Sequence, residues 1–168
     1  NYKFYVKRLS SLKPQKLTFN EHATIVGHKD TFNPSSPSII QFQDGYLMNQ
    51  RYVNYFIEPN GNYTVNEPIT SFNRRITFDH DLNVIKKHDF DQLPKETGRY
   101  LGIEDVKIFK YGNDVLFIGT EQNLQTKKLS VSAGQYPLND ETHSLTSTIY
   151  PSPENATCEK NWCYLEHN

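Results

Sequence analysis

The chain has 168 residues, with 18 Lys and Arg against 19 Asp and Glu for a formal net charge of −1, and aromatic residues make up 13% of it. That length holds one domain with a real core rather than two ordinary ones. The balanced charge, with no basic run longer than a pair, excludes a surface that tracks nucleic-acid phosphates. The longest apolar stretch, residues 115–119, falls far short of the roughly 20 residues that span a bilayer, and the amino end carries no signal-peptide pattern, so no membrane span is expected.

Helical periodicity is hard to find, whereas short apolar runs bounded by turn residues recur, which predicts antiparallel β-structure. After a leading segment over residues 1–30, a strand at 38–43 passes through Asp44-Gly45 into a second over 46–57. A turn at Pro59-Asn60-Gly61-Asn62 then leads into a short strand at 63–65. Strands at 69–79 and 83–90, joined through His80-Asp81-Leu82, complete a first unit within residues 31–92, four strands besides the short one at 63–65.

The pattern restarts after the loop at 91–101. Strands are expected at 104–111, 115–122, 127–136 and 144–151, a second unit within residues 93–157, and residues 158–168 open as the first strand of a third. Set side by side, "PSIIQFQDGYLMNQRY" and "EDVKIFKYGNDVLFIGTE" share a strand, a Gly turn and a second strand. A four-stranded antiparallel unit repeating at about 50 to 70 residues predicts an all-β chain built of β-propeller blades, with a β-sandwich of similar strand spacing as the alternative. A chain that starts at Asn1 and stops as a third unit opens reads as processed or partial. The remaining blades, or a larger assembly, are then expected partners.

Cys158 and Cys163 would point to opposite faces of one extended strand about 17 Å apart, so free, buried thiols are expected rather than a disulfide. The six His residues show no metal-ligand spacing, and no metal or cofactor is assigned. Two glycosylation sequons, at Asn62 and Asn155, are no more than chance supplies and leave the compartment open.

In "GIEDVKIF", residues 102–109, two carboxylates stand directly before an apolar run. Side chains alternate along a regular strand, so one of Glu104 and Asp105 would face a pocket while the other served as a structural acceptor. Glu104 is expected to be that acceptor, bonded to backbone or to a basic side chain such as Arg99. Arg51, Tyr52, Asn54 and Tyr55, on the second strand of the first unit, offer ring faces and polar groups that suit a sugar. Sheet packing is the competing expectation for them. Trp162 is expected in the core.

"FNPSSPSII", "GIEDVKIF" and "CEKNW" resemble successive inner-strand motifs of the five-bladed β-propeller superfamily of glycoside hydrolases and phosphorylases. The mannoside phosphorylase branch, with its Gly-x-Glu-Asp-Pro-Arg motif, is closest in wording. The resemblance covers roughly residues 30–165 and implies two blades and the start of a third. It implies a glycan as partner, bound and cleaved at the central channel, with Asp105 as the general-acid candidate and Glu159 as the second catalytic carboxylate. Lys160 and Asn161 would be polar neighbours in the substrate site. Asn33 stands where invertase-like relatives carry a catalytic aspartate, and Val106-Lys107 stands where the motif has Pro-Arg, so Lys107 would supply the positive charge there. The alternative function is a non-catalytic propeller module for protein interaction or structural assembly.

Overall fold

Turn residues divide the chain into short extended runs that pair with their sequence neighbours. The computed structural model describes residues 21–25, 29–65, 68–92, 98–152 and 156–164. The strands are β1 (Asn33–Phe42), β2 (Gly45–Val53), β3 (Tyr55–Ile57), β4 (Tyr63–Val65), β5 (Ile69–Phe78) and β6 (Val84–Phe90), followed by β7 (Tyr100–Leu101), β8 (Glu104–Tyr111), β9 (Asp114–Gln122), β10 (Leu129–Gln135) and β11 (Thr148–Tyr150). Among the described residues there is no helix, as the sequence predicts.

One sheet runs in the order β1-β2-β5-β6, with β7 paired in parallel to β5; the other runs β11-β10-β9-β8. β3 and β4 form a hairpin inserted between β2 and β5. Neither sheet closes on itself. The two units share details beyond strand count. Each opens with a hairpin whose two-residue connection, Gln43-Asp44 or Gly112-Asn113, begins at a positive φ, 50° at Gln43 and 58° at Gly112. Each first strand carries a register shift near its start, between Pro34 and Pro37 in β1 and between Glu104 and Lys107 in β8. The third strand of each unit begins beside the chain that leads onward: Ile69 pairs in parallel with Tyr100, and Leu129 with Cys158. Beyond that bridge, residues 159–164 form no strand, so the expected third-unit strand is limited to the contact at Cys158; residues 165–168 lie outside the described residues.

The sheets meet across a core to which the first contributes Leu47 and Phe90 and the second unit Ile103, Val106, Ile108, Val115, Phe117 and Tyr136. The far face of the first sheet buries Met48, Ile76 and Phe78 in one cluster, and Tyr52 and Phe72 with Ala23, Ile25 and Phe32 in another. The central strand β2 is therefore buried on both sides, polar positions included. Those polar groups are bonded across the interface. The Tyr136 hydroxyl donates to Asn49 Oδ1 at 3.0 Å, Asn49 Nδ2 to Asn73 Oδ1 at 2.8 Å, and Asn73 Nδ2 to the Ile103 carbonyl at 2.9 Å. Burial pushes the Tyr136 hydroxyl far above its usual range, which keeps it a donor. Tyr136→Phe should cost about 1–2 kcal/mol in urea unfolding, because it leaves Asn49 short of a partner in a dry place.

The chain after β10 is clamped by the first sheet. Arg75 donates to the carbonyls of Pro137 and Asn139 at 2.6 and 3.0 Å and to Asp140 Oδ1 at 2.6 Å, and Lys86 also pairs with Asp140. The hydrogen bond from Lys86 is the main reason the Asp140 carboxyl titrates below its ordinary value, with the charges of Lys86, Arg75 and His88 adding to it. A carboxyl depressed by folding contributes stability above its ordinary value of 3.8 and loses it as pH falls through the lower folded value. Amide protection in residues 137–143, taken relative to the intrinsic exchange rate at each pH, should therefore fall in acid, and Asp140→Asn should flatten that dependence.

Candidate functional site

The β8 bulge answers why two acids open that strand. Asp105 adopts φ 51°, a left-handed conformation uncommon for a side-chain-bearing residue, and the pairing of β8 to β9 slips between Glu104 and Lys107. Alternation is broken there, and both carboxylates reach one cation. Arg51 Nη2 donates to Glu104 Oε1 and Arg51 Nη1 to Asp105 Oδ1, each at 2.9 Å. Gly119 makes room for the turn, because a Cβ on it would stand 2.6 Å from Ile103 Cγ2 and 3.0 Å from the Glu104 carbonyl oxygen.

The rest of the cluster fixes that arrangement. Arg51 Nε donates to Ser71 Oγ at 3.0 Å, Ser36 Oγ to Asp105 Oδ1 at 3.2 Å, and Lys160 Nζ to Glu104 Oε2 at 3.1 Å. Burial alone would lower the Lys160 ammonium, but the charge and hydrogen bond of Glu104 outweigh it and hold the group above the usual lysine range. The Arg51 and Glu104 side chains are 4% and 6% exposed, whereas Asp105 keeps 25% of its side chain in solvent. Glu104 is thus a structural acceptor held by basic side chains, the kind of partner expected, and these are Arg51 and Lys160 because the bulge turns the carboxylate toward β2.

Beside Asp105 lies a cleft of about 240 Å³ lined by Asp105, Lys107, Gly119, Thr120, Asn161, Trp162 and Cys163. Trp162 is 48% exposed, not buried in a core as expected. Its indole N–H donates to Glu159 Oε2 at 3.0 Å, which holds the ring at the surface. Asn161, at φ 62°, and the exposed Lys107 complete the polar rim. Cys163 and Cys158 are free, as expected, but exposed rather than buried, since the segment that carries them runs over the outside of the second sheet's end.

The structure brings together Arg51, Asp105, Lys107, Lys160 and Asn161 among the expected site residues. Glu159 faces other partners: Ser152 Oγ donates to its Oε1 at 2.7 Å and Trp162 to its Oε2. The Ser152 hydrogen bond first, then that of Trp162, holds the Glu159 carboxyl below its ordinary value, the opposite of what a general acid at neutral pH requires. Tyr52 is 1% exposed, stacked on Phe72 at 5.0 Å with the Arg74 guanidinium over its ring, so it packs the core and presents no face to a ligand. Asn54 ties the end of β2 to the start of β5, accepting from the Thr70 N–H at 2.8 Å and donating to the Pro68 carbonyl and to Asp30. Asn33 Oδ1 is bonded to His22 Nδ1 at 2.9 Å, and its buried Nδ2 has no hydrogen-bond partner among the described residues.

A larger cleft of about 660 Å³ lies along β10 and the chain that follows it, with Asp114, Gln135, Thr142, Thr146, Ser147 and Thr148 among its lining residues. It lacks an exposed aromatic ring of the Trp162 kind and is not next to the ion cluster. Among the described residues no group of three or more His, Cys, Asp or Glu could hold a metal, and no helix is long and apolar enough to cross a membrane. Comparison with known proteins yields no matching family model, no matching curated protein and no matching solved structure.

Proposed function

We propose that the chain contributes two blades to a five-bladed β-propeller of the glycoside hydrolase and phosphorylase type, and that it binds a glycan in the cleft beside Asp105. Two consecutive four-stranded meanders support the propeller reading, as does the recurring parallel contact through which each third strand meets the chain leading onward. The first strands of the two units also lie side by side, with the Ile108 N–H donating to Ser38 Oγ at 3.0 Å.

The observation that carries the glycan reading is the placement of the chain's single Trp, half exposed, in one small cleft with a carboxylate, an ammonium, an amide and a hydroxyl. An indole face stacks on the C–H face of a pyranose, and the rim groups bond its hydroxyls. A space of about 240 Å³ suits a single sugar ring better than a drug-sized ligand, for which pockets start at roughly 300 Å³. Arg51 and Ser36 position Asp105 for such a contact, and Glu104 is committed to its two cations. Binding without cleavage is the expected behaviour, since Glu159 is bonded elsewhere and titrates low.

A glycan array probed with the protein tests this directly. Retention on at least one glycan, lost with Trp162→Ala by roughly tenfold or more, is the expected result. An array that stays silent overturns the reading. A second reading, a protein-interaction module, is favoured by the β3–β4 hairpin, whose Phe56, Ile57 and Tyr63 are 59%, 60% and 56% exposed. Serine at Phe56 and Ile57 should then abolish self-association or partner capture while leaving the array unchanged.

A further inference from the structure

Charge balance around the cleft narrows the ligand, and this step rests on the glycan-binding reading. Arg51 and Lys160 carry two positive charges, and Glu104 and Asp105 carry two negative ones, all four joined by contacts of 2.9 to 3.1 Å. The cluster is therefore neutral as a unit. Of the cleft's lining residues only Asp105 and Lys107 are charged, and Asp105 is already neutralised by Arg51. Lys107 is exposed on β8 and makes no ion pair with any described residue. Among the cleft's own lining residues Lys107 is thus the one charge without a counter-ion, and it shares the cleft with the Trp162 ring, whose indole N–H is bonded to the Glu159 carboxylate outside the lining.

We propose that the cleft takes a carboxylated sugar, a uronate or sialate type of ring, whose carboxylate pairs with Lys107 while its apolar face stacks on Trp162. A neutral sugar would leave the Lys107 charge uncompensated, and a cationic one would be repelled. Asp105 adds hydroxyl-accepting capacity without a net charge, because its partner Arg51 stays buried beneath it. The pairing is solvent-exposed, so it sets preference more than bulk affinity and should weaken with salt.

The test uses Trp162 fluorescence, which reports on this site alone because the chain has no other Trp. The protein is titrated with tri-galacturonate, a glucuronate-terminated trisaccharide and a sialyl-trisaccharide, each beside its carboxyl-reduced counterpart. The expected result is that at least one acidic probe binds about fivefold more tightly than its neutral partner, and that the gap closes in 0.5 M salt and in Lys107→Gln. Lys107 is exposed, so that variant should fold normally, and Lys107→Arg should retain the preference. Equal binding of acidic and neutral partners overturns the charge inference and leaves the glycan reading in place. Binding of neutral glycans alone does the same. Silence toward every probe, acidic and neutral, overturns both.

Discussion

Arg51→Met is expected to destabilise the fold by about 3–5 kcal/mol, because it removes the charge that two carboxylates share and leaves Glu104, 6% exposed at its side chain, with only Lys160. Methionine fills most of the volume, so the loss reports on charge more than on a cavity. The Ser71 hydroxyl and the Asp105 carboxylate lose a partner at the same time. Urea unfolding of the single variant and of Arg51→Met combined with Glu104→Gln separates these effects. The double variant should recover a substantial part of the loss, since a neutral amide no longer needs the guanidinium. A single variant within about 0.5 kcal/mol of the parent would mean that the cluster contributes nothing that water cannot replace.

Phe117→Ala should cost a similar amount, about 3–5 kcal/mol, for a different reason. Phe117 is fully buried where the two sheets meet, edge-on to Tyr136 at 6.5 Å between ring centroids. Its core neighbours come from both units: Leu47 and Phe90 on one side, Ile108 and Val115 on the other. The cavity left behind cannot collapse without moving a strand, so both sheets should lose stability together in one transition. Two separate transitions, with the first sheet unaffected, would show that the units are energetically independent.

Much of the fold was legible because the chain punctuates itself. Turn residues and apolar runs alone place β5, β6, β8 and β9 within two residues of where they lie, and the restart after residue 91 marks the second unit. Propensity does not report which strands bury both faces. Asn49-Gln50-Arg51 is a polar run in the middle of an apolar strand, yet it lies 0%, 3% and 3% exposed because long-range partners satisfy it. The site was half legible. Asp105, Lys107 and Asn161 sit at the cleft, and Arg51 and Lys160 sit behind it. What was not legible was the bulge at Asp105, where a non-glycine residue with positive φ overrides the two-residue period that would have sent Glu104 the other way. Tyr52 was unreadable for the same kind of reason. Its ring is amphipathic, and only the packing of Phe72 and Arg74 decides that it faces inward.

The proposal that the cleft beside Asp105 binds a glycan is tested most directly by the indole N–H resonance of Trp162, a single signal in this chain, followed while the tightest glycan from the array is added. The expected result is a saturable shift of that resonance together with the backbone signals of Lys107, Thr120 and Asn161, and still signals from Thr142 and Thr146 in the larger cleft. Shifts confined to the larger cleft, with the Trp162 indole unmoved at saturation, would contradict it.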